Sequence, residues 1–129
     1  FMKGQTVSGI MHSDFIKRMD LAYAAADVVI SRSGASSVSE FCATHKATVL
    51  VPSPNVAEDH QTHNAMALVR KDAALIVKDA EAAEKLMPAA LELVHDQARI
   101  TEIEKNVAQL ALPDAAMKIV EEAYALLEK

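Results

Sequence analysis

Val28-Val29-Ile30-Ser31-Arg32-Ser33-Gly34-Ala35-Ser36-Ser37-Val38-Ser39-Glu40 is the stretch that decides the fold. Its first three residues are β-branched and apolar without polar alternation, the pattern of a parallel strand buried on both faces. Gly34 then permits a change of direction, through a positive φ or through close approach of the backbone to a ligand. Helical spacing begins near Ser36 or Ser37 and carries Val38, Phe41, Cys42 and His45 to about Thr44. Open parallel sheets bind ligands where a strand ends and a helix begins in this way. The N–H groups of Ala35, Ser36 and Ser37 would point out of the helix start, where the helix dipole also favours a diphosphate. A plainer reading uses the same letters, because Ser37 and Glu40 have capping-box spacing and can simply close the helix start. Glu40 therefore has two candidate tasks, helix cap or acceptor for paired hydroxyls such as those of a ribose. Arg32 can meet a phosphate or pack at the surface.

Upstream, Phe15-Ile16-Lys17-Arg18-Met19-Asp20-Leu21-Ala22-Tyr23-Ala24-Ala25-Ala26-Asp27 reads as a helix with Met19, Ala22, Tyr23 and Ala26 on one face. Residues 7–11, Val7 to Met11, form at most a short strand or linker. Downstream, Thr48-Val49-Leu50-Val51 is a second strand closed by Pro52-Ser53-Pro54. The loop Asn55-Val56-Ala57-Glu58 leads into a helix over about 59–71, and Ala74-Leu75-Ile76-Val77 is a third strand. Pro88 predicts a kink in the helix over 82–94, or a start near Lys85. Ile100, Ile103, Val107 and Leu110 make one stripe on the next helix. Pro113 suits the first position of the last one, whose buried face would be Ala116, Ile119, Val120, Ala123 and Leu127. Strands alternating with helices predict an α/β fold, a Rossmann-like parallel sheet with flanking helices. Three strands are few for such a sheet. Either the domain is small or further strands precede residue 1. The expected division is 1–14 as linker with a possible strand, 15–112 as a partial nucleotide-binding domain, and 113–129 as a carboxy-terminal helix.

The loop after the second strand opens on the same sheet edge as Gly34. His60, Gln61 and Asn64 share part of one helical face there. Their amides and imidazole offer the mixed donors and acceptors that sugar hydroxyls need. The bland alternative is an Asp59 cap on a solvated first turn. His60 and His63 are spaced as a metal pair, but no third ligand is evident, so no metal site is expected.

Composition narrows the classes further. The 129 residues are 51% apolar and 24% charged, enough for one domain with a core. A formal charge of −5 argues against a broad nucleic-acid interface. The single cysteine, Cys42, has no intrachain partner and lies in an apolar run, so it reads as a core thiol in a reducing compartment. No stretch reaches the ~20 apolar residues of a membrane span, and 1–5 does not read as a signal peptide. Phe ahead of Met at the start suggests a processed, tagged or truncated chain. With three glycines in all, neither a P-loop nor a dinucleotide fingerprint is present.

Several ordered motifs together carry a resemblance: Ala22-Tyr23-Ala24-Ala25-Ala26-Asp27, Ile30-Ser31-Arg32-Ser33-Gly34-Ala35, Val38-Ser39-Glu40, Leu50-Val51-Pro52 and Asp59-His60-Gln61-Thr62-His63-Asn64-Ala65. From about Phe15 onward the chain resembles the carboxy-terminal half of the bacterial UDP-N-acetylglucosamine transferases of peptidoglycan synthesis. The resemblance implies an incomplete carboxy-terminal domain of a two-domain GT-B glycosyltransferase. It implies an inverting transfer of N-acetylglucosamine from UDP-N-acetylglucosamine to lipid I, giving lipid II, with no cofactor, at the cytoplasmic face of the inner membrane. Peripheral membrane association and the lipid acceptor would belong to the full-length protein. It further implies that Phe15 and Ile16 lie in the segment beside the uracil ring, with backbone atoms of Ile16 reading its edge, that Arg32 lies near the donor phosphates, and that Ala35, Ser36 and Ser37 approach the diphosphate and sugar. Glu40 would bond the ribose hydroxyls, and His60, Gln61 and Asn64 the sugar and nearby phosphates. No catalytic residue is expected within these residues, so the chain alone should not turn over. Another nucleotide-sugar glycosyltransferase, an epimerase, or a non-catalytic nucleotide-binding module are the alternatives. The chain departs from the family pattern at His45 and Ala47, where Gly and Pro are usual, and at Asp72, where a turn glycine is usual.

Overall fold

The computed structural model describes residues 8–55 and 59–127. Three strands, β1 (Val28–Ser31), β2 (Ala47–Leu50) and β3 (Leu75–Ile76), form a parallel sheet in the order β1-β2-β3. Val28 pairs with Ala47 and Ser31 with Leu50 across the first ladder, and Leu50 pairs with Ile76 across the second. The helices are α1 (Met19–Ala25), α2 (Ala35–Thr44), α3 (His60–Val69), α4 (Ala82–His95), α5 (Gln97–Ala108) and α6 (Ala115–Leu127), with a 3₁₀ turn over Asp79–Glu81 ahead of α4. This is the expected α/β arrangement of a parallel sheet with flanking helices.

The central strand is buried at every position, as its unbroken apolar run requires. Leu50 faces one cluster, with Tyr23, Phe41, Cys42, Ala65, Leu68 and Val107. Ala47 and Val49 face the other, with Val77, Leu93, Ile100 and Ile103. Alternate residues of one strand thus hold helices on both faces. The stripe expected on α5 is real: Ile100, Ile103 and Val107 are buried, and Leu110, just beyond the helix end, packs against the cluster that holds Val107. Burial raises the pKa of the Cys42 thiol, as suits a core position.

Several boundaries and faces differ from the sequence reading. The helix before β1 starts at Met19, so Phe15 and Ile16 lie in coil, and Met19 is exposed although Tyr23 is buried. Residues 8–11 are not a strand, and Val7 lies outside the described residues, as do Val56, Ala57 and Glu58. α2 begins at Ala35, one or two positions early. His45 is not on its core face: it is the left-handed C-cap, with φ 52°. Asp59 sits at the N-cap of α3 with φ 54° and makes no side-chain bond to a backbone N–H; its carboxylate accepts from the Thr62 hydroxyl. α4 runs from Ala82 through Pro88, which is exposed, so the helix does not wait for Lys85. α6 starts at Ala115, after a turn containing Pro113, and none of its residues is buried. Ala116, Ile119, Val120, Ala123 and Leu127 therefore do not form a buried face, because no described element packs over that apolar stripe.

Two of the three departures from the family pattern, the ones where glycine is usual, fall on left-handed backbone. His45 caps α2, and Asp72 has φ 56° in the turn after α3. Glycine adopts this region without steric cost, whereas other residues are strained there. Asp72 gains a compensation: its carboxylate makes a two-pronged pair with Arg99 of α5, at 2.7 and 2.5 Å, and Asn106 donates to its carbonyl at 3.0 Å. The guanidinium holds the Asp72 carboxyl below its ordinary pKa. No comparable contact is present for the His45 side chain among the described residues.

Candidate functional site

The site lies where β1 and β2 end and α2 and α3 begin, the carboxyl edge of the sheet. Gly34 is the N-cap of α2, with φ −62° and ψ 152°. This is ordinary extended backbone, so the glycine does not serve a positive φ. A Cβ placed on Gly34 would meet nothing within 4 Å among the described residues, so their packing does not require glycine either. The backbone at Gly34 is thus open to approach from outside the described residues.

The first helical hydrogen bond of α2 runs from Val38 N–H to the Gly34 carbonyl at 3.0 Å. The N–H groups of Ala35, Ser36 and Ser37 precede it and find no acceptor among the described residues. No side chain caps this end. The capping-box reading of Ser37 and Glu40 is therefore not realised. Glu40 instead reaches across to α1, where its Oε2 accepts from the Tyr23 hydroxyl at 2.7 Å.

Ser33 ties the two loops together. It is fully buried, and each of its polar groups is used. Its hydroxyl donates to the Gln61 carbonyl at 2.7 Å, its N–H donates to Gln61 Oε1 at 3.3 Å, and its carbonyl accepts from Asn64 Nδ2 at 3.0 Å. Gln61 Oε1 also accepts from the Ser53 N–H at 2.9 Å. One amide oxygen thus stitches the loop after β1 to the loop after β2. Gln61 Nε2 and Asn64 Oδ1 are the amide groups left over. Both side chains were expected to serve a ligand; the structure shows that half of each already serves the frame. Sequence reading missed Ser33, since its partners lie 28 and 31 positions away. A short serine followed by glycine at a strand end was the available signal.

Arg32 is likewise engaged. Its Nη1 donates to the carbonyls of Val51 and Pro52, at 3.2 and 3.3 Å, and pairs with Asp79. Asp79 was not singled out from sequence. It also borders a cleft of about 520 Å³, lined by Pro52, Thr62, Met66, Ile76 and Lys78 among others. His60 opens α3 and is exposed, as are Ala35 and Ser36. Phe15 and Ile16 are exposed in the coil ahead of α1, and the only described side-chain hydrogen bond to either is local, from the Ser13 hydroxyl to the Phe15 carbonyl. The structure thus brings Arg32, the α2 tip, Gln61 and Asn64 into one frame, with Glu40 further along α2, and leaves Phe15 and Ile16 outside that network.

Among the described residues no group of three His, Cys, Asp or Glu side chains is placed to hold a metal ion. No described helix is long and apolar enough to cross a membrane.

Comparison with known proteins matches residues 2–119 to the glycosyltransferase family 28 C-terminal domain. The UDP-N-acetylglucosamine--N-acetylmuramyl-(pentapeptide) pyrophosphoryl-undecaprenol N-acetylglucosamine transferase of Bacteroides fragilis is 55% identical over 123 residues, which are 95% of this chain and 32% of that protein. The enzyme of the same name from Bacteroides thetaiotaomicron is 60% identical over 116 residues, 90% of this chain and 31% of that one. The crystal structure of Acinetobacter baumannii MurG superposes with a TM-score of 0.76 at 33% identity, covering 83% of this chain and 31% of the crystallised one. The chain spans about a third of the length of the curated relatives it matches.

Proposed function

The chain belongs to the glycosyltransferase family 28 C-terminal domains, and from that premise we propose that it is part of the donor-binding half of an inverting UDP-N-acetylglucosamine transferase. The observation that carries the reading is the α2 tip, where three N–H groups find no acceptor, and the glycine behind them no packing need, among the described residues. Such a tip suits the diphosphate of UDP, whose charge grows as the sugar leaves. Glu40 takes the ribose hydroxyls through the oxygen that Tyr23 does not occupy. The free amide groups of Gln61 and Asn64, with His60, face the sugar side. Phe15 and Ile16 take the uracil, and Arg32 supports the phosphate region from its seat against Asp79.

In the parent reaction the C4 hydroxyl of the N-acetylmuramic acid unit of lipid I attacks the anomeric carbon of the donor. The bond to the β-phosphate oxygen breaks, configuration inverts, and UDP leaves with the electron pair. The hydroxyl proton passes to a base outside these residues, so this chain positions the leaving group and does not turn over alone. The names of the relatives, which print an N-acetylmuramyl-(pentapeptide) pyrophosphoryl-undecaprenol as the group acted on, support the acceptor. With that acceptor the proposed product is lipid II, and the proposed place of action is the cytoplasmic face of the bacterial inner membrane, reached by peripheral attachment through the rest of the protein.

Titration of the 129-residue chain with UDP, followed by backbone amide shifts, tests the donor assignment. The expected result is movement at Ala35, Ser36, Ser37 and Glu40. Silence of all four at millimolar UDP would overturn it.

A further inference from the structure

We infer that Tyr23 is a positioning residue for the proposed ribose site: its hydroxyl fixes the Glu40 carboxylate in the rotamer that receives a ribose diol, and so sets discrimination between ribose and deoxyribose. This rests on the donor-site reading above. The geometry is specific. Tyr23 is 8% exposed, its ring meets Phe41 edge-on at 5.9 Å and 87°, and its hydroxyl donates to Glu40 Oε2 at 2.7 Å. The helix that carries it is held as well, since Lys46 Nζ donates to the carbonyl of Ala26 at its C-cap, at 3.1 Å. A buried ring on a tied helix thus presents one fixed donor to an otherwise exposed glutamate.

The chemistry follows from the count of donors and acceptors. A phenol has one proton to donate, and a carboxylate has two oxygens, each able to accept more than one bond. Tyr23 engages Oε2, and Oε1 of this exposed residue has no hydrogen-bond partner among the described residues, which leaves it for hydroxyl donors. An exposed glutamate otherwise samples many rotamers and must be ordered when the ligand arrives. Glu40 is not ordered by the helix start, because the capping alternative is not formed. Phe41, the next residue on α2, packs against the tyrosine ring, so the carboxylate and the donor that aims it share one rigid contact. Burial, with the carboxylate adding to it, pushes the tyrosine hydroxyl up to about 12, so the donor proton is retained throughout the working range.

The test compares UDP with 2′-deoxy-UDP on the wild-type chain, Tyr23→Phe, Glu40→Ala and the double variant, by titration calorimetry. Wild type is expected to prefer UDP by about tenfold or more, as for a hydroxyl pair bonded to a charged acceptor. Tyr23→Phe keeps the ring and should lose about three- to tenfold in UDP affinity, with a clearly smaller loss for the deoxy ligand, which keeps only the 3′ hydroxyl as a donor to Glu40, so the preference narrows. In the Glu40→Ala background the same change should do nothing further, since the two residues act as one unit. An unchanged preference in Tyr23→Phe, or equal losses for both ligands, would overturn the inference and leave the donor site standing. A wild-type chain that binds neither nucleotide sinks the donor-site reading and this inference with it. Should the phenylalanine variant fail to fold, the tyrosine ring carbon resonances of wild-type Tyr23 decide: they should move on addition of UDP and much less with 2′-deoxy-UDP, and equal responses refute the coupling.

Discussion

Truncation of Gln61 to alanine separates the two duties assigned to its amide. Oε1 accepts from Ser53 N–H at 2.9 Å and from Ser33 N–H at 3.3 Å, and Ser33 is fully buried. Gln61→Ala leaves both donors without that partner. A buried donor left unpaired costs about 1–3 kcal/mol. The second bond is long and the loops are partly open to water, so the expected loss is about 2–3 kcal/mol in total. For a domain of this size each kcal/mol moves the midpoint by about 3–6 °C, giving a fall of about 6–18 °C by far-ultraviolet circular dichroism. Gln61→Glu keeps an acceptor in the same place and should melt within about 1 kcal/mol of wild type. It removes the Nε2 donor and adds a negative charge beside the proposed diphosphate, so UDP affinity should fall in both variants while stability falls in one. A midpoint for Gln61→Ala within about 3 °C of wild type would refute the stitching role. Equal destabilisation by both substitutions would also refute it.

Three further outcomes follow from the same structure. His45→Gly relieves a left-handed backbone at φ 52° and should raise the denaturant midpoint by about 1 kcal/mol of stability after the extra freedom of the unfolded glycine is allowed for, with UDP binding unchanged. Thr48 is fully buried and its hydroxyl has no partner among the described residues, so Thr48→Val should stabilise the sheet by about 1 kcal/mol in thermal melts; a loss would show that the hydroxyl is bonded. Arg99 holds the Asp72 carboxyl below its ordinary value of 3.8, so the unfolded chain takes up that proton first on acidification. The pair's contribution is thus present above the ordinary value and lost as pH falls through the folded one. Asp72→Asn, which tolerates the left-handed turn, should show a shallower loss of stability than wild type across that acid range in urea titrations at stepped pH.

Legibility from sequence tracked the range of the interaction. The strand at Val28-Val29-Ile30, the start of α2 near Ser36 and the stripe Ile100, Ile103, Val107 all follow from period and branching within a few residues, and all are present in the structure. The last helix has an equally clear stripe, yet it is exposed throughout, because periodicity reports that a face is apolar and not what covers it. Glu40 shows the same limit at the level of one side chain. Local spacing offered a cap or a ligand acceptor, and a tyrosine 17 positions earlier set its orientation. Arg32 was free to meet a phosphate on paper, and Asp79, 47 positions later, holds it.

What the amino-acid order determined by itself was therefore the alternation of strands and helices, the glycine at the first strand's end, and the chemical character of the residues gathered at the sheet edge. Those are consequences of backbone sterics and local hydrophobic period, which act between near neighbours. Which amide oxygens are already engaged, which carboxylate is aimed and by what, and which apolar stripe finds a partner were decided only in the tertiary structure. Each depends on a hydrogen bond or contact between distant residues, and such a bond exists only once packing has brought donor and acceptor within about 3 Å.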